Sequence, residues 1–490
     1  MNKRRFLLPL PTAVIAVVIF GAGQAWAWTK DPDSAVNPAN VVTSTLLSPP
    51  DATLGALDTS AAGIADTVVG ADDGSAYPTD PTSSGTTFWV DNTPGDGDCP
   101  QATYLTIQAA VNASGANDTV KVCPGTYAEQ VSIIGHAHDG LRLESLTPLA
   151  ATIQWPTPET LHQLIYINQA DAVTIRGFTI SGPFPSLACA SGAPPIDRHE
   201  GILFDQAFNG RIDHNRITMI RDADPNLWGC QQGDAVSIGR RIDAPTPGGS
   251  AGSAQVDHNV IDRYQKNGVQ AVNSGTSAIV RANTITYVVS ETAAIPFRAA
   301  PNGIVVFRGA AATVEQDVIS GNHWTTPLST GIILDQSPSS SSEVDHNRVS
   351  DNDYGIETDT QIGLDISHNS VLNSTADAIT VCGDPGQGCG PAEQIVVRAN
   401  DVDNNGGSGI LLLGADSNLV KADHVAGNGM DGIHLDASSM GNQVLEDHMS
   451  TNVPYDCEDN SLGSGTGGTA NTWTNDVGAT ENRPGLCNAT

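Results

Sequence analysis

From about residue 200 the chain repeats itself, and an internal repeat narrows the available folds more than any other feature of a sequence. One recurring phrase is a small residue, then Ile or Val, then alternation: EGILFD, GDAVSIG, NGVQAV, NGIVVF, TGIILD, YGIETD, DAITVC, SGILLL and DGIHLD. Its copies begin at Gly201, Ala235, Gly268, Gly303, Gly331, Gly355, Ala378, Gly409 and Gly432. The shortest steps are 23 or 24 residues, and longer ones contain insertions such as APTPGGSAGSA. A second phrase, apolar-x-x-Asn/Asp-x-apolar, runs through RIDHNRI, QVDHNVI, IVRANTI, TVEQDVI, EVDHNRV, DISHNSV and VVRANDV.

A unit of that length, with two or three short strands and their turns, cannot bury its own apolar face, whereas stacked copies can. Leucine-rich repeats would need their leucine skeleton, and propeller blades about twice the period. The pattern therefore predicts an all-β solenoid, a parallel β-helix. The repeated asparagine belongs at a tight bend, where its side chain bonds the local backbone and its counterpart one turn away. The histidine beside it has two readings. It is either a turn residue, as its replacement by Ala282, Gln316 and Ala399 suggests, or part of a metal-binding ladder of His214 with His258, or His346 with His368.

Ahead of the repeats, Lys3, Arg4 and Arg5 precede an apolar run from Leu7 to Phe20 and the small residues around Ala27. That order marks residues 1–27 as a secretory signal with cleavage near Ala27, and the run is too short and proline-broken to span a membrane. Residues 28–85 are rich in Pro, Ser, Thr, Ala and Asp without sustained periodicity and read as a flexible leader. From Phe88 the texture changes: FWVDN is a strand, YLTIQAAVNAS a short amphipathic helix suited to capping a core end, and DTVKVCPGTYAEQVSI two strands around a turn.

Eight cysteines in an exported chain read as bridges, and in chain order they pair Cys99 with Cys123, Cys189 with Cys230, Cys382 with Cys389, and Cys457 with Cys487. The last pair would close a C-terminal cap over 455–490. Removing the signal's three basic residues takes the formal charge from −32 to −35. Such a surface repels nucleic acid, anionic lipid and polyuronate sugars unless a cation intervenes. The expected location is secreted, periplasmic or cell-surface, and the expected state a monomer.

The segment WVDN...YLTIQAAVNAS...DTVKVCPGTYAEQVSI, followed by the VDHNxI turns, resembles the right-handed parallel β-helix repeat proteins of the pectin-lyase-like superfamily. The resemblance implies a single-stranded right-handed β-helix over 86–475 with a short N-terminal capping helix. It implies no single activity, since lyases, hydrolases, esterases, epimerases and proteins without known chemistry share the fold. A more distant likeness to NosD-type β-helices implies periplasmic metal handling. The superfamily's Asp-Pro-His epimerase signature is absent from this sequence.

Strand alternation locates the outward side chains. If the Ile or Val after each small residue faces inward, Asp205, Asp335, Glu357, Asp359, His434 and Asp436 face outward, with Val305, Phe307, Leu411 and Leu413 on neighbouring turns. Asp335 and Asp359 should stack about 4.8 Å apart, with Glu357 beside them. Opposed like charges need a proton or a cation between them. Asp335, Glu357 and Asp359 are therefore candidates for acid, base and support in glycoside hydrolysis, or for oxygen ligands of Ca²⁺. Phe307, Arg308, His434 and Asp436 are the candidate substrate contacts. Pectate and alginate lyases of this fold need basic residues at the site. The acidic strand ladder carries no paired Arg or Lys, Arg308 one position beyond Phe307 being the closest, which favours hydrolysis over elimination. The partner expected is an extracellular polysaccharide, with a non-catalytic binding surface built on Val305, Phe307, Leu411 and Leu413 as the alternative.

Overall fold

The structure, a computed structural model, describes residues 85–95, 97, 99–186, 198–242, 248–288, 300–324, 328–337 and 342–488. The expected signal, nearly all of the leader, and Cys189 lie outside the described residues.

Three long parallel sheets make up the molecule, with 12, 14 and 12 strands, and each strand pairs with its counterparts in adjacent turns. One turn shows the path. The chain runs through Thr330–Asp335 in the first sheet, Glu343–Asp345 in the second and Arg348–Ser350 in the third, then returns to the first at Tyr354–Asp359. The repeated phrase supplies nine of the first sheet's strands. The other three, Val131–Ile134, Gln163–Asn168 and Cys457–Asp459, lack the small residue that marks the phrase. The segment read as two strands around a turn forms three, Thr119–Val122, Gly125–Ala128 and Val131–Ile134, which together make a complete turn.

Inside, like stacks on like. Ile304, Ile332, Ile356, Ile379, Ile410 and Ile433 form one in-register column, all buried in a single continuous core. Each such side chain contributes about 1.5–3 kcal/mol by leaving water. The small residue before the column has a steric cause. A Cβ on Gly303 would lie 2.5 Å from the Gly331 carbonyl oxygen, and one on Gly355 would lie 2.4 Å from that of Ala378.

The repeated asparagine forms a ladder at the bend between the second and third sheets. Asn215, Asn259, Asn283, Asp317, Asn347, Asn369, Asn400, Asp423, Asp447 and Asp476 occupy successive turns. Each backbone N–H donates to the next residue's Oδ1 at 2.7 to 3.0 Å. The flanking histidines take the left-handed conformation of a turn, with φ of 55° at His214 and His258, 54° at His346 and 53° at His368.

Helix α1 (Ile107–Ala113) closes the N-terminal end, burying Ile107, Ala110 and Val111. Thr106 caps it, and the Glu129 carboxylate accepts from the free N–H groups of Ile107 and Gln108 at 2.8 and 3.0 Å. Three disulfides are described, Cys99–Cys123, Cys382–Cys389 and Cys457–Cys487. The last fastens the segment that closes the C-terminal end, where Trp473 is buried and donates to Asp459 Oδ2 at 3.0 Å. No helix among the described residues is long and apolar enough to cross a membrane.

Candidate active site

The outer face of the first sheet carries three columns of side chains. Leu203, Ser237, Gln270, Val305, Ile333, Glu357, Thr380, Leu411, His434 and Glu458 are in register along one. Asp335 and Asp359 pair directly in a second, beside Val272, Phe307, Cys382 and Leu413. A third column is formed by the residue just before each small one: Glu200, Asp234, Asn267, Asn302, Thr330, Tyr354, Asp377, Ser408 and Asp431. Every member is polar. This column is legible in the phrase itself, and reading only the positions after the small residue misses it.

Alternation gave the direction of these side chains but not their exposure, and much of the face is covered. Val305 and Phe307 are 0% and 1% exposed, so the contact surface expected from them does not exist. With Val272 they make a small separate apolar cluster, and the guanidinium groups of Arg241 and Arg308 lie over the Phe307 ring at 4.6 and 5.0 Å. Phe307 is therefore packed beneath cations and cannot meet a substrate, while Arg308 keeps partial exposure. Asp205 and Asp335 are each only 2% exposed. Asp205 accepts from Tyr166 Oη at 2.8 Å and from Ser250 Oγ, which fixes it in the structure.

The cover also hides a set of cations that sequence reading did not find. Arg198, Arg241 and Lys266 are fully buried: Arg198 faces Asp234 at 3.7 Å and Gln231 at 2.8 Å, and the Lys266 ammonium donates to the Ala300 carbonyl. Their signal was weak because they sit in three separate turns with no motif joining them.

The face opens from Tyr354 onward. Tyr354, Glu357, Asp359, Leu411, Leu413 and His434 are partly exposed there. Glu357 accepts from Thr330 Oγ1 at 3.1 Å. Burial, reinforced by the charges of Asp359 and Asp377, pushes its carboxyl up to about 7 despite that bond. Asp377 is likewise raised by burial, although the Ser408 N–H donates to it at 2.6 Å. The Tyr354 phenol is raised by burial and by neighbouring carboxylates, so it stays a proton donor at neutral pH.

Asp335 stacks on Asp359 as the register required, but Glu357 turns toward Thr330. Among the described residues, the groups whose ligand atoms all lie within 4.8 Å of one another do not include this trio. A calcium ion shared by all three carboxyls is therefore not the arrangement that these side chains adopt.

His434 lies three turns further on, roughly 14 Å away at the usual strand spacing. Its Nδ1 is 2.9 Å from Glu458 and 3.3 Å from Asp431. Burial opposes the charged imidazole, but the two carboxylates outweigh it and lift the group to about 9. The open face thus ends in an imidazolium held by two acids. Asp436, expected beside it as a substrate contact, is taken up by a turn: it accepts from Gly414 N at 2.9 Å and from the hydroxyls of Ser438 and Ser439 at 2.7 Å.

The DHN histidines stack in pairs on another side of the molecule. The rings of His214 and His258 are 5.0 Å apart and those of His346 and His368 4.6 Å. His214 and His258 each face the aspartate before them, and Asp345 is shared by His346 and His368. Asp345, His346 and His368 bring three ligand atoms together on the surface.

A family model described as a right handed beta helix region matches residues 248–420. With the three stacked sheets, this makes the chain a right-handed parallel β-helix protein. No curated protein matches the sequence. Solved structures similar to the chain include XylC in complex with xylose, at 11% identity over 80% of this chain and 83% of that one, TM-score 0.49. The surface protein and adhesin PfbA of Streptococcus pneumoniae is similar at 15% identity over 76% and 94%, TM-score 0.47. The periplasmic alginate epimerase AlgG is similar at 11% identity over 74% and 76%, TM-score 0.41.

Proposed function

We propose that the protein is an exported hydrolase of extracellular polysaccharide, working on the open stretch of the first sheet. The observation that carries this reading is Glu357, a carboxyl raised to about 7 beside the partly exposed Asp359. Hydrolysis of a glycosidic bond needs one carboxyl that still holds its proton and a second that activates water or attacks. Glu357 serves as the acid, Asp359 as the base, and the buried Asp335 supports Asp359 from the next turn. Tyr354 and Asp377 line the same opening.

A net charge of −32 favours neutral glycans over polyuronates. Elimination is disfavoured, because Arg198, Arg241 and Lys266 are buried with internal partners three or more turns from Glu357, and Arg308 is engaged over the Phe307 ring. Export is supported by the basic and apolar N-terminal pattern together with three disulfides.

The test is a screen of purified protein against neutral and acidic glycans, reading new reducing ends and the absorbance of unsaturated products. Reducing ends without unsaturation are expected. Glu357→Gln and Asp359→Asn should each lower kcat by about 10²- to 10⁴-fold. Activity should fall as pH rises through about 7, where Glu357 loses its proton. Unsaturated products would instead mean elimination. Glycan binding with neither product would mean a non-catalytic binding surface, reduced to Leu411, Leu413 and their polar neighbours now that Val305 and Phe307 are buried.

A further inference from the structure

Where the covered part of the first sheet begins, His162 and His199 occupy neighbouring turns, immediately ahead of the strands Gln163–Asn168 and Glu200–Asp205. Their rings are 4.6 Å apart. Glu159 reaches back so that both carboxylate oxygens lie 3.1 and 3.2 Å from His199 Nε2. Glu159, His162 and His199 each offer one ligand atom within 4.8 Å of the others.

The surroundings decide what His199 can carry. Its Nδ1 faces Gln232 Oε1 at 3.2 Å, and the orientation of that amide is fixed because its NH₂ donates to the Asp222 carboxylate at 3.2 Å. A carbonyl oxygen opposite Nδ1 requires the proton to be there, which leaves Nε2 with a lone pair in the neutral ring. That lone pair points at a carboxylate. Two acceptors face each other inside a buried site unless a positive charge lies between them. His199 is 0% exposed, its plane is fixed by Phe184 stacked 4.1 Å away, and Glu159 Oε2 is held by Trp155 Nε1 at 2.9 Å.

We propose that Glu159, His162 and His199 bind a divalent transition-metal ion of the zinc type, placed between His199 Nε2 and the Glu159 carboxylate. Two imidazoles and one carboxylate suit zinc and leave a fourth position for water. Gln232 and Trp155 supply the outer hydrogen bonds that orient a ligating histidine and carboxylate. The ion joins two consecutive turns to the segment around Glu159, at the opposite end of the first sheet from His434. Nothing in this site depends on the hydrolase reading.

The experiment uses the full chain after chelation and dialysis, titrated with Zn²⁺ by calorimetry and checked by metal analysis. To remove the other described group that brings two histidines to a carboxylate, the titration is repeated in the His346→Ala/His368→Ala double variant. One equivalent should bind in both proteins. Glu159→Gln and His162→Ala should each weaken binding by about 100-fold or more, and Gln232→Leu by about 10- to 100-fold. Co²⁺ in the otherwise unaltered chain gives a reading independent of whether variants fold: intense visible bands of a four- or five-coordinate ion are expected. No bound zinc, binding lost only in the double variant, undiminished binding in Glu159→Gln, or six-coordinate cobalt would each overturn the proposal.

Discussion

The asparagine ladder has an amide stretch and a carboxyl stretch, and they differ in chemistry while sharing a geometry. In the first, Asn347, Asn369 and Asn400 accept a backbone N–H through Oδ1, and each Nδ2 donates to a carbonyl, of Val314, Val344 and Ile366, at 2.9 Å. In the second, Asp423, Asp447 and Asp476 accept the same backbone bonds but have no NH₂ to donate. Asp423 Oδ2 and Asp447 Oδ2 are buried without a hydrogen-bond partner. Burial raises all three carboxyls above their usual range, and the charge of Asp423 adds to it at Asp447. A protonated carboxyl restores the missing donor, so these residues fit the ladder best as neutral acids. Asp317, alone among amides, follows the same rule and is raised by burial to about 8. The shared geometry fixes where a side chain sits; the atom at its second position decides whether pH matters there.

The largest way to disturb this contrast is to open the end that covers the carboxyl stretch. Cys457 and Cys487 close a loop with a sequence separation of 30 over Asp476 and its neighbours. Replacing both with alanine should cost about 3 to 4 kcal/mol in the chain-entropy picture. It should also let water reach the acids, which would then ionise at lower pH. Chemical denaturation of the variant at pH 5 and pH 8 measures both effects. An unchanged stability would show that the cap holds without its bridge.

Next in size is Asn347→Ala in the amide stretch. It removes the acceptor for Asp317 N and the donor to Val314 O, leaving buried groups unsatisfied, and should cost about 2 kcal/mol at any pH between 5 and 8. Asp447→Asn tests the other stretch and has the opposite sign. A carboxyl with a raised folded pKa gives its full stabilisation below the unfolded value near 3.8, and loses it as pH rises through the raised one. The contribution of Asp447 to wild-type stability should therefore decline from acid toward alkaline pH. The asparagine variant should flatten that decline and gain about 1 kcal/mol at pH 8. Melting temperature against pH reads both variants, and an unaltered pH slope in Asp447→Asn would remove the carboxyl account.

The ladder and the core columns were legible because stacking forces the same residue into the same place at every turn. The period, the inward Ile and Val, the bend asparagines and the pairing of Asp335 with Asp359 all follow from that constraint. Exposure was not legible. Val305 and Phe307 alternate outward correctly, yet they are buried, with Arg241 and Arg308 over the Phe307 ring. Partners across turns were also hidden: nothing in the sequence near His434 announces Glu458, and Glu159, His162 and His199 meet only because two turns stack.

The smallest expected effect belongs to the residue that looked most like chemistry. His346 sits beside Asn347 in every reading of the DHN phrase, but its left-handed φ of 54° is shared by Ala282, Ala399 and Ala422, at 53°, 54° and 57°. Alanine is therefore already accepted at that bend. What His346→Ala removes is a stack on His368 and a hydrogen bond with Asp345, both near the surface. Such contacts are worth about 0.5 kcal/mol or less once solvent screens them. Thermal unfolding of His346→Ala beside Asn347→Ala makes the comparison within one phrase. A loss for His346→Ala equal to that for Asn347→Ala would mean that the imidazole, and not the amide, holds the bend. A loss that appears only when Zn²⁺ is present would instead make the surface group of Asp345, His346 and His368 a ligand site in its own right.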